Sequence, residues 1–302
     1  MKFDVVTFGS GVVDVFASTG VAEKKGRLDL EVGSKYLIDG LRVEVGGGGT
    51  NCAVAFARFG LKTGCICKVG EDANGIEVLT ALRSEKVKFL GKVGEGNTGY
   101  SMIVDSKKKN RTILTFKGAS NDVSLIDIKR FKSQWLYYSS LLGKSFVAQK
   151  KLARQFVAGG GRLAFNPSSY SIEKQDIRGL LRLCYVLVLN KEEAVELAKK
   201  YKGKGKNVLE KLGSLGPKVV VVTDKDKAVR CYDGVKMYKV VPHKGKRVVE
   251  RTGAGDAFAA GFVAGMVRGH PIKECLDLGV MESEAVLAHY GAKNNLLKIK
   301  LK

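Results

Sequence analysis

The amino-acid sequence predicts an α/β fold in which a doubly wound, mostly parallel sheet is flanked by helices and carries a small β lid. Short apolar runs alternate with segments of helical spacing along most of the chain, which is typical of parallel sheets. Two runs, CYVLVL (184–189) and KVVVVT (218–223), are apolar on both faces, as central strands covered by helices are. Two polar segments interrupt the alternation and predict the lid.

The elements of the main domain follow from these patterns in chain order. The predicted strands are FDVVTF (3–8), QWLYYS (134–139), RLAFN (162–166), CYVLVL (184–189) and KVVVVT (218–223). Residues 145–159 and 191–201 have apolar side chains at helical spacing, which predicts two helices. This alternation places the strands side by side and the helices on both faces of the sheet.

The predicted lid is a small β appendage made from two insertions, residues 15–45 and 91–117. Within the second, YSMIVDSKKKNRTILTF (100–116) has two β-type runs around a charged turn, which predicts a hairpin. The remaining segments, 1–14, 46–90 and 118–302, form the predicted α/β domain. The lid is also where we expect a homodimer interface, if the chain forms a dimer.

Length and composition restrict the class of protein. With 302 residues and 45% hydrophobic residues, the chain is long enough to bury a core of its own. The net charge of +22 has two interpretations, an anionic partner such as nucleic acid or a lysine-rich solvated surface. We favour the solvated surface and expect no nucleic-acid partner, because the lysines are dispersed and no aromatic residues interleave with them.

The sequence also bears on location in the cell. No apolar run approaches the roughly 18 residues of a membrane span. The first residues, MKFDVVTFGS, lack the basic start and apolar stretch of a signal peptide. We therefore expect a cytoplasmic protein that does not contact a membrane.

The run VERTGAGDAF (249–258) is the first candidate site. A helix start exposes unpaired N–H groups and the positive end of the helix dipole, and small residues let an anion approach them. Gly253, Ala254 and Gly255 therefore resemble an anion hole, and Asp256 beside them is a candidate proton acceptor for phosphoryl transfer. The alternative interpretation is a tight turn in which Asp256 is only an N-terminal charge.

A second glycine cluster, VGGGGTNCAVAFARFG (45–60), precedes another predicted helix. Its glycines let the backbone approach a ligand, and Asn51 offers both a donor and acceptors. The cluster lacks the Lys-Ser or Lys-Thr ending of a Walker loop and contains no GxGxxG match. Close packing between helix and sheet is the alternative explanation.

A third candidate site, NKEEA (190–194), directly follows the CYVLVL strand. Open α/β sheets bind ligands at the carboxyl ends of their strands, and the oxygens of Asn190 and Glu193 suit Mg²⁺ held mostly through water. An Asn cap followed by acidic residues on the first helical turn is the common structural alternative.

Taken together, these motifs resemble the ribokinase-like carbohydrate kinases, also called the PfkB family. GGGTNCAVAFARFGLKTGCICKVG (47–70) and TGAGDAFAAGF (252–262) are similar to its two signatures, and NKEE is similar to its NxxE motif. GSGVVD (9–14), VGEDANG (69–75) and RTILTFKGASN (111–121) also match in order. The resemblance covers nearly the whole chain and implies a kinase that uses ATP and Mg²⁺ to phosphorylate a hydroxymethyl group of a sugar or nucleoside.

The resemblance also implies roles for single residues. Asp256 would be the general base beside the anion hole of Gly253, Ala254 and Gly255. The substrate-binding residues it implies are Asp14, Gly47, Gly48, Asn51 and, on the lid, Arg111. The implied cofactor-binding residues are Asn190, Glu193, Thr223, Lys225 and Thr252, with Asn190 and Glu193 at the magnesium ion.

The chain departs from the family pattern at several positions. Glu250–Arg251 replaces the usual acid–threonine pair, and TDKDKA (223–228) has Lys225 and Ala228 where the TxGxxG loop has glycines. Gly48 replaces the ribokinase-type lysine, which removes a cation for a phosphate or carboxylate, although Arg111 could supply another. The substrate therefore stays open among a sugar, a nucleoside and a phosphorylated sugar, and a basic nucleic-acid-binding protein on a decayed kinase fold is the alternative from another class.

Overall fold

The computed structural model describes residues 1–108, 110–245 and 248–301. Within these residues the helices, in chain order, are α1 Gly48–Arg58, α2 Ala73–Ser84, α3 Gly143–Ala158, α4 Ser169–Lys174, α5 Arg178–Leu181, α6 Lys191–Tyr201, α7 Val208–Gly213, α8 Ala254–Arg268 and α9 Ile272–Leu287. The strands are β1 Lys2–Phe8, β2 Val12–Thr19, β3 Glu23–Lys24, β4 Arg27–Leu28, β5 Ile38–Gly46, β6 Thr63–Ile66, β7 Lys68–Gly70, β8 Lys88–Phe89, β9 Lys92–Gly94, β10 Gly99–Asp105, β11 Arg111–Phe116, β12 Lys132–Ser139, β13 Arg162–Asn166, β14 Cys184–Asn190, β15 Val219–Thr223, β16 Val229–Tyr232 and β17 Met237–Val240.

The main sheet has nine strands in the order β17-β16-β15-β14-β13-β12-β1-β6-β8. The pairings from β8 to β15 are parallel, and β16 and β17 add two antiparallel pairings at one edge. The predicted doubly wound, mostly parallel sheet is confirmed. All five predicted strands are present, and the predicted helices correspond to α3 and α6.

Two hydrophobic cores lie on opposite faces of this sheet. Alternate residues of β12 illustrate the division, because Tyr137 belongs to one core and Leu136 and Tyr138 to the other. The first core contains the apolar residues of α1, α8 and α9, and the second contains those of α3, α5 and α6. Side chains of a strand alternate between faces, so a strand apolar on both faces needs helices on both sides.

A second sheet has four strands in the order β11-β10-β2-β5. β10 pairs with β2 in parallel, and the other two pairings are antiparallel. We call this sheet the lid sheet. Its strands extend slightly beyond the first predicted insertion, since β2 begins at Val12 and β5 ends at Gly46, and β9 pairs with β7 instead of joining it. The division into a lid of residues 15–45 and 91–117 and a main domain stays a prediction.

No helix in the described part of the chain has the length and apolar character required to cross a bilayer.

Candidate active site

The carboxyl ends of the central strands open into a cleft where the strand order reverses. β1 lies between β12 and β6, and such a reversal leaves a crevice for ligands in open α/β sheets. The cleft has a volume of about 540 Å³, and a second cavity of about 240 Å³, the lid cavity, adjoins it against the lid sheet. The residues that line both are Ser10, Gly48, Ile113, Lys117, Thr252, Gly253 and Asp256.

The start of α8 brings Asp256 to the boundary between these cavities. Gly253 precedes the helix with a φ of 80°, and a Cβ there would lie 2.3 Å from the Cβ of Ala292, so the turn requires glycine. Asp256 lies in the first helical turn, where the N-terminal N–H groups favour a negative charge. Of the predicted anion hole, Gly253 and Gly255 line the cleft, whereas Ala254 is not a lining residue.

The glycine cluster at the start of α1 faces the same place. Gly47 has a φ of 95°, and a Cβ on it would lie 2.5 Å from the carbonyl oxygen of Ser10. A Cβ on Gly48 would lie 2.7 Å from the Cβ of Ser139 and 3.4 Å from Asp256 Oδ1. The missing side chain therefore keeps open the space between Ser139 and Asp256. Close packing, the structural explanation considered for this cluster, is therefore confirmed, and its approach to a ligand stays a prediction.

Asn51 connects the two helix starts. Its Nδ2 donates a hydrogen bond of 2.9 Å to Asp256 Oδ2. Burial raises the pKa of Asp256, and the Asn51 hydrogen bond and the charge of Lys293 act in the opposite direction. A raised carboxyl pKa brings the group closer to the range in which a general base accepts a proton efficiently.

Asp14 reaches the lid cavity from β2 of the lid sheet. Its side chain is buried, and burial raises its pKa, opposed by a hydrogen bond with Ser101. Gly46 lies beside it, where a Cβ would meet the Asp14 carboxylate at 1.8 Å. The cavity thus presents Asp14 from the lid sheet and Asp256 from α8 to the same space.

Asn190 and Glu193 form a reciprocal cap at the start of α6. Asn190 Oδ1 accepts from the Glu193 N–H at 2.8 Å, and Glu193 Oε2 accepts from the Asn190 N–H at 3.0 Å. Burial raises the pKa of Glu193. Both residues also line the cleft, together with Thr223 at the end of β15. The helix cap, which is the structural alternative to a ligand site at these residues, is therefore present, and it holds both side chains at the cleft wall.

No cluster of three or more His, Cys, Asp or Glu side chains among the described residues could hold a metal ion by itself. One carboxylate and one amide at the cleft wall are a donor set that suits Mg²⁺, because this ion keeps several waters and usually binds one or two carboxylates plus phosphate oxygens.

Lys225 lies apart from the other predicted residues. Its side chain is exposed, its Nζ is 3.4 Å from Glu192 Oε1, and it is not among the residues that line the cleft. Its φ is 51°, a left-handed conformation that glycine adopts without strain and that is unfavourable for lysine. The backbone at this position therefore has a conformation that suits glycine, although the residue is lysine.

Arg111 connects the lid sheet to the loop before α8. Its Nη1 donates to Thr252 Oγ1 at 2.7 Å and forms an ion pair with Glu250. Glu250 in turn accepts from the N–H and the hydroxyl of Thr252, at 2.6 and 2.8 Å. Arg111 and Thr252 both line the cleft, so this network lies at its rim. Although the pair Glu250–Arg251 departs from the family pattern, it retains an acidic residue, and this residue forms the ion pair with Arg111 of the lid.

Lys293 is a functional candidate that the sequence did not indicate. Its Nζ donates to Asn51 Oδ1 at 3.0 Å and to the carbonyl oxygen of Val45. It follows α9 in a C-terminal segment without a motif, and it is one of many lysines in a basic chain. Only the folded arrangement distinguishes it from the solvated lysines.

The chain matches the pfkB family carbohydrate kinases over residues 5–299. An uncharacterized sugar kinase from Archaeoglobus fulgidus is 28% identical over 255 residues, which are 80% of this chain and 98% of that protein. A cytidine kinase from Thermococcus kodakarensis is also 28% identical, over 84% of this chain and 91% of that protein.

Solved structures share the fold at lower identity. A ribokinase from Thermotoga maritima superposes with a TM-score of 0.82 at 20% identity, covering 97% of this chain and 95% of that one. Arabidopsis thaliana ribokinase, solved with ribose and ATP, gives a TM-score of 0.78 at 21% identity, covering 98% and 96%. The family match spans nearly the whole chain, and the large sheet with its separate small sheet agrees with it; the protein belongs to the pfkB family of carbohydrate kinases, which are phosphotransferases.

Proposed function

We propose that this protein transfers the γ-phosphoryl group of ATP to a hydroxyl group of a sugar or sugar-like small molecule. The observation that carries the proposal is the position of Asp256, in the first turn of α8 and on the wall shared by the cleft and the lid cavity. An acceptor in the lid cavity and a nucleotide in the cleft would meet at this carboxylate.

The proposed role of Asp256 is to accept the proton of the attacking hydroxyl. Phosphoryl transfer needs a positioned nucleophile and stabilisation of negative charge. Asp256 would position the attacking hydroxyl. The N–H groups at the start of α8, next to Gly253 and Gly255, would stabilise the negative charge. The same carboxylate is held in place by Asn51, so its orientation does not depend on the substrate.

The nucleotide would lie against the larger cleft, beside Thr223 and Thr252. Mg²⁺ would be held at the cleft wall by Asn190 and Glu193, through water, and would neutralise charge on the phosphate oxygens. Glu193 is suited to this because its carboxylate is fixed by the helix cap before any ion binds.

The acceptor would bind in the lid cavity, with Asp14, Asn51 and backbone at Gly47 and Gly48 as partners for its hydroxyl groups. The cavity of about 240 Å³ suits a small polyol, since its polar lining consists of two carboxylates, the Asn51 amide, hydroxyl groups such as that of Ser101 and the ammonium of Lys117. Arg111 is occupied by Glu250 and Thr252, which leaves it less available to an anionic substrate than its sequence position implies.

A nucleoside is the second candidate acceptor. The lid side of the cavity carries three apolar residues, Val12, Ile103 and Ile113, against which a base could pack. Ile113 is 49% exposed at the cavity edge, where a group larger than a sugar would extend.

A screen of ADP release across pentoses, hexoses, sugar acids, sugar phosphates and nucleosides tests the proposal and chooses between the two acceptors. We expect ADP release that depends on one acceptor class. Absence of acceptor-dependent ADP release, together with salt-sensitive binding of nucleic acid, would instead support the decayed-kinase alternative.

We also propose a homodimer formed through the lid sheet. The sheet face opposite Asp14 carries exposed apolar residues on three strands; their exposed fractions are 59% for Leu41, 56% for Val43, 40% for Met102, 60% for Leu114 and 56% for Phe116. A continuous apolar surface of this kind usually marks an interaction site, and a second copy offers a self-complementary partner.

A further inference from the structure

Lys293 lies directly behind the candidate base. Its Nζ donates to Asn51 Oδ1 at 3.0 Å, and the Nδ2 of the same amide donates to Asp256 Oδ2 at 2.9 Å. The Val45 carbonyl oxygen, at the end of β5, accepts a further hydrogen bond from the ammonium. These hydrogen bonds join three parts of the chain in a row: the segment after α9, the first turn of α1 and the first turn of α8.

The chemistry of the lysine fixes the orientation of the amide. An ammonium group has three donors and no acceptor, so only the oxygen of Asn51 can face Lys293. The NH₂ group of Asn51 must then face Asp256, where it donates to the carboxylate. With the amide reversed, its oxygen would oppose the carboxylate oxygen of Asp256, and its NH₂ group would oppose the ammonium.

Several charged side chains surround the ammonium group of Lys293. Asp14 from β2, Glu44 from β5 and Asp256 from α8 favour its protonated form, and Arg58 from α1 opposes it. Burial outweighs the attraction and lowers the pKa of Lys293 to about 8. In turn, the positive charge of Lys293 opposes the rise in pKa of both carboxyl groups that line the lid cavity.

We propose that Lys293 is a positioning residue for phosphoryl transfer: through Asn51 it holds the Asp256 carboxylate in one orientation, and it places a positive charge near Asp256 and Asp14. The inference rests on the proposed function, because it presumes that Asp256 is the base. Its role would be indirect, since Lys293 contacts Asn51 and not the acceptor.

The test compares pH profiles of kcat/KM for the parent, Lys293→Met and Lys293→Gln, with ATP and the best acceptor from the ADP-release screen. For Lys293→Met we expect kcat at least about 10-fold lower and an acidic limb about one pH unit higher, because an opposite charge is removed. Lys293→Gln keeps a donor for Asn51, so its kcat should be higher than that of Lys293→Met. The acidic limb of its pH profile should be displaced by the same amount, because the charge is removed in both variants. Lys293→Arg should restore the parental limb.

A double-mutant cycle separates positioning from general stability. If Lys293 acts through Asn51, the variant carrying both Lys293→Met and Asn51→Leu should be no more than about 2-fold slower than Asn51→Leu alone. The proposal would be overturned if the losses of kcat from the two substitutions multiplied in the double variant. It would also be overturned if the acidic limbs of Lys293→Met and Lys293→Gln both coincided with the parental limb. The thermal midpoint of each variant identifies loss of fold, and Lys293→Gln carries the test if Lys293→Met does not fold.

A measurement without acceptor distinguishes this inference from the proposed function. Titration of ¹³C-labelled aspartate carboxyls, with the Asp256 signal assigned by its absence in Asp256→Asn, should give a higher pKa for Asp256 in Lys293→Gln than in the parent. Equal values would overturn the inference alone. Near-parental turnover by Asp256→Asn would instead overturn the assignment of the base, whatever the titration shows.

Discussion

The hydrogen bond of 2.9 Å from Asn51 Nδ2 to Asp256 Oδ2 joins the first turns of two helices that are 205 residues apart in the sequence. Because α1 and α8 both begin at this point, the positive ends of both helix dipoles are directed toward the same space. Glycines on both sides leave that space without side chains. A transferring phosphoryl group carries the negative charge that this arrangement favours.

The first prediction concerns the base. Asp256→Asn should lower kcat by at least about 100-fold, the usual effect of removing a positioned base, with little change in acceptor affinity. Asp277→Asn, on the exposed side of α9, is the matched control and should retain parental turnover. A folded Asp256→Asn protein with near-normal kcat would end the assignment.

The second prediction concerns Asp14, whose carboxylate lines the lid cavity but not the larger cleft. Asp14→Ala should raise the KM for the acceptor, with a smaller fall in kcat, because a partner for substrate hydroxyls contributes to binding and orientation. The KM for ATP should stay the same. Asp39→Ala, an exposed lid carboxylate, serves as control; equal kinetics for both variants would show that Asp14 does not contact the acceptor.

Most of the fold, and the two glycine-rich helix starts of the candidate site, could be predicted because their sequence signals are local. Apolar runs on both faces identify covered strands, and the glycine clusters before two helices identify places where missing side chains leave a cavity open. The sequence also indicated that Asn190 and Glu193 follow a strand. Their reciprocal cap confirms the structural interpretation, and both residues also line the cleft, where magnesium binding stays a prediction.

The parts that could not be predicted depend on contacts between distant segments. Lys293 has no motif, and its significance comes from the burial of one ammonium beside Asn51. Arg111 was identified as a lid residue, but its partners Glu250 and Thr252 are separated from it by more than half of the main domain. Side-chain pairing across the chain leaves no periodic pattern in the sequence.

The third prediction concerns stability and pH. Glu282 on α9 is fully buried, its Oε2 accepts from the Leu297 N–H at 2.9 Å, and burial raises its pKa to about 7. A carboxyl with a raised pKa in the folded state stabilises the fold at low pH. That contribution is lost as the pH rises from the unfolded value, about 4.3, through 7. The loss amounts to at most about 4 kcal/mol, since each pKa unit corresponds to about 1.4 kcal/mol.

Glu282→Gln should remove this pH dependence, because an amide does not ionise. Urea unfolding at pH 5 and pH 8 should show the variant gaining stability relative to the parent at the higher pH. Glu77→Gln, on the exposed side of α2, should follow the parent at both values. A constant difference between Glu282→Gln and the parent would show that Glu282 is not the titrating group.

The fourth prediction concerns the lid surface. Leu114→Asp places a charge in the middle of the exposed apolar face and should shift a homodimer toward monomer in sedimentation velocity, because a buried unpaired carboxylate opposes association. Val235→Asp, at a turn distant from the lid, is the control and should sediment like the parent. Identical sedimentation of parent and Leu114→Asp would argue against dimerisation through the lid.

The last prediction concerns Lys225, which lies outside the cleft lining but on the loop that follows Thr223. A triphosphate is strongly anionic, so an exposed ammonium at the rim would attract it through charge even without a close contact. Lys225→Gly removes the ammonium and suits the left-handed backbone at this position, whereas Lys225→Ala would keep the strain that the lysine already bears. We expect Lys225→Gly to raise the KM for ATP several-fold and to leave the KM for the acceptor unchanged.

Lys86→Gly is the matched control, because Lys86 is exposed, has a φ of 57° and is distant from the cleft. Both variants lose one positive charge and one left-handed lysine, so they differ only in location. The difference in KM for ATP between them should shrink as salt is raised, since exposed charges are screened over about 8 Å at physiological ionic strength. If both variants bind ATP like the parent at low and high salt, Lys225 belongs to the solvated basic surface and has no role at the donor site.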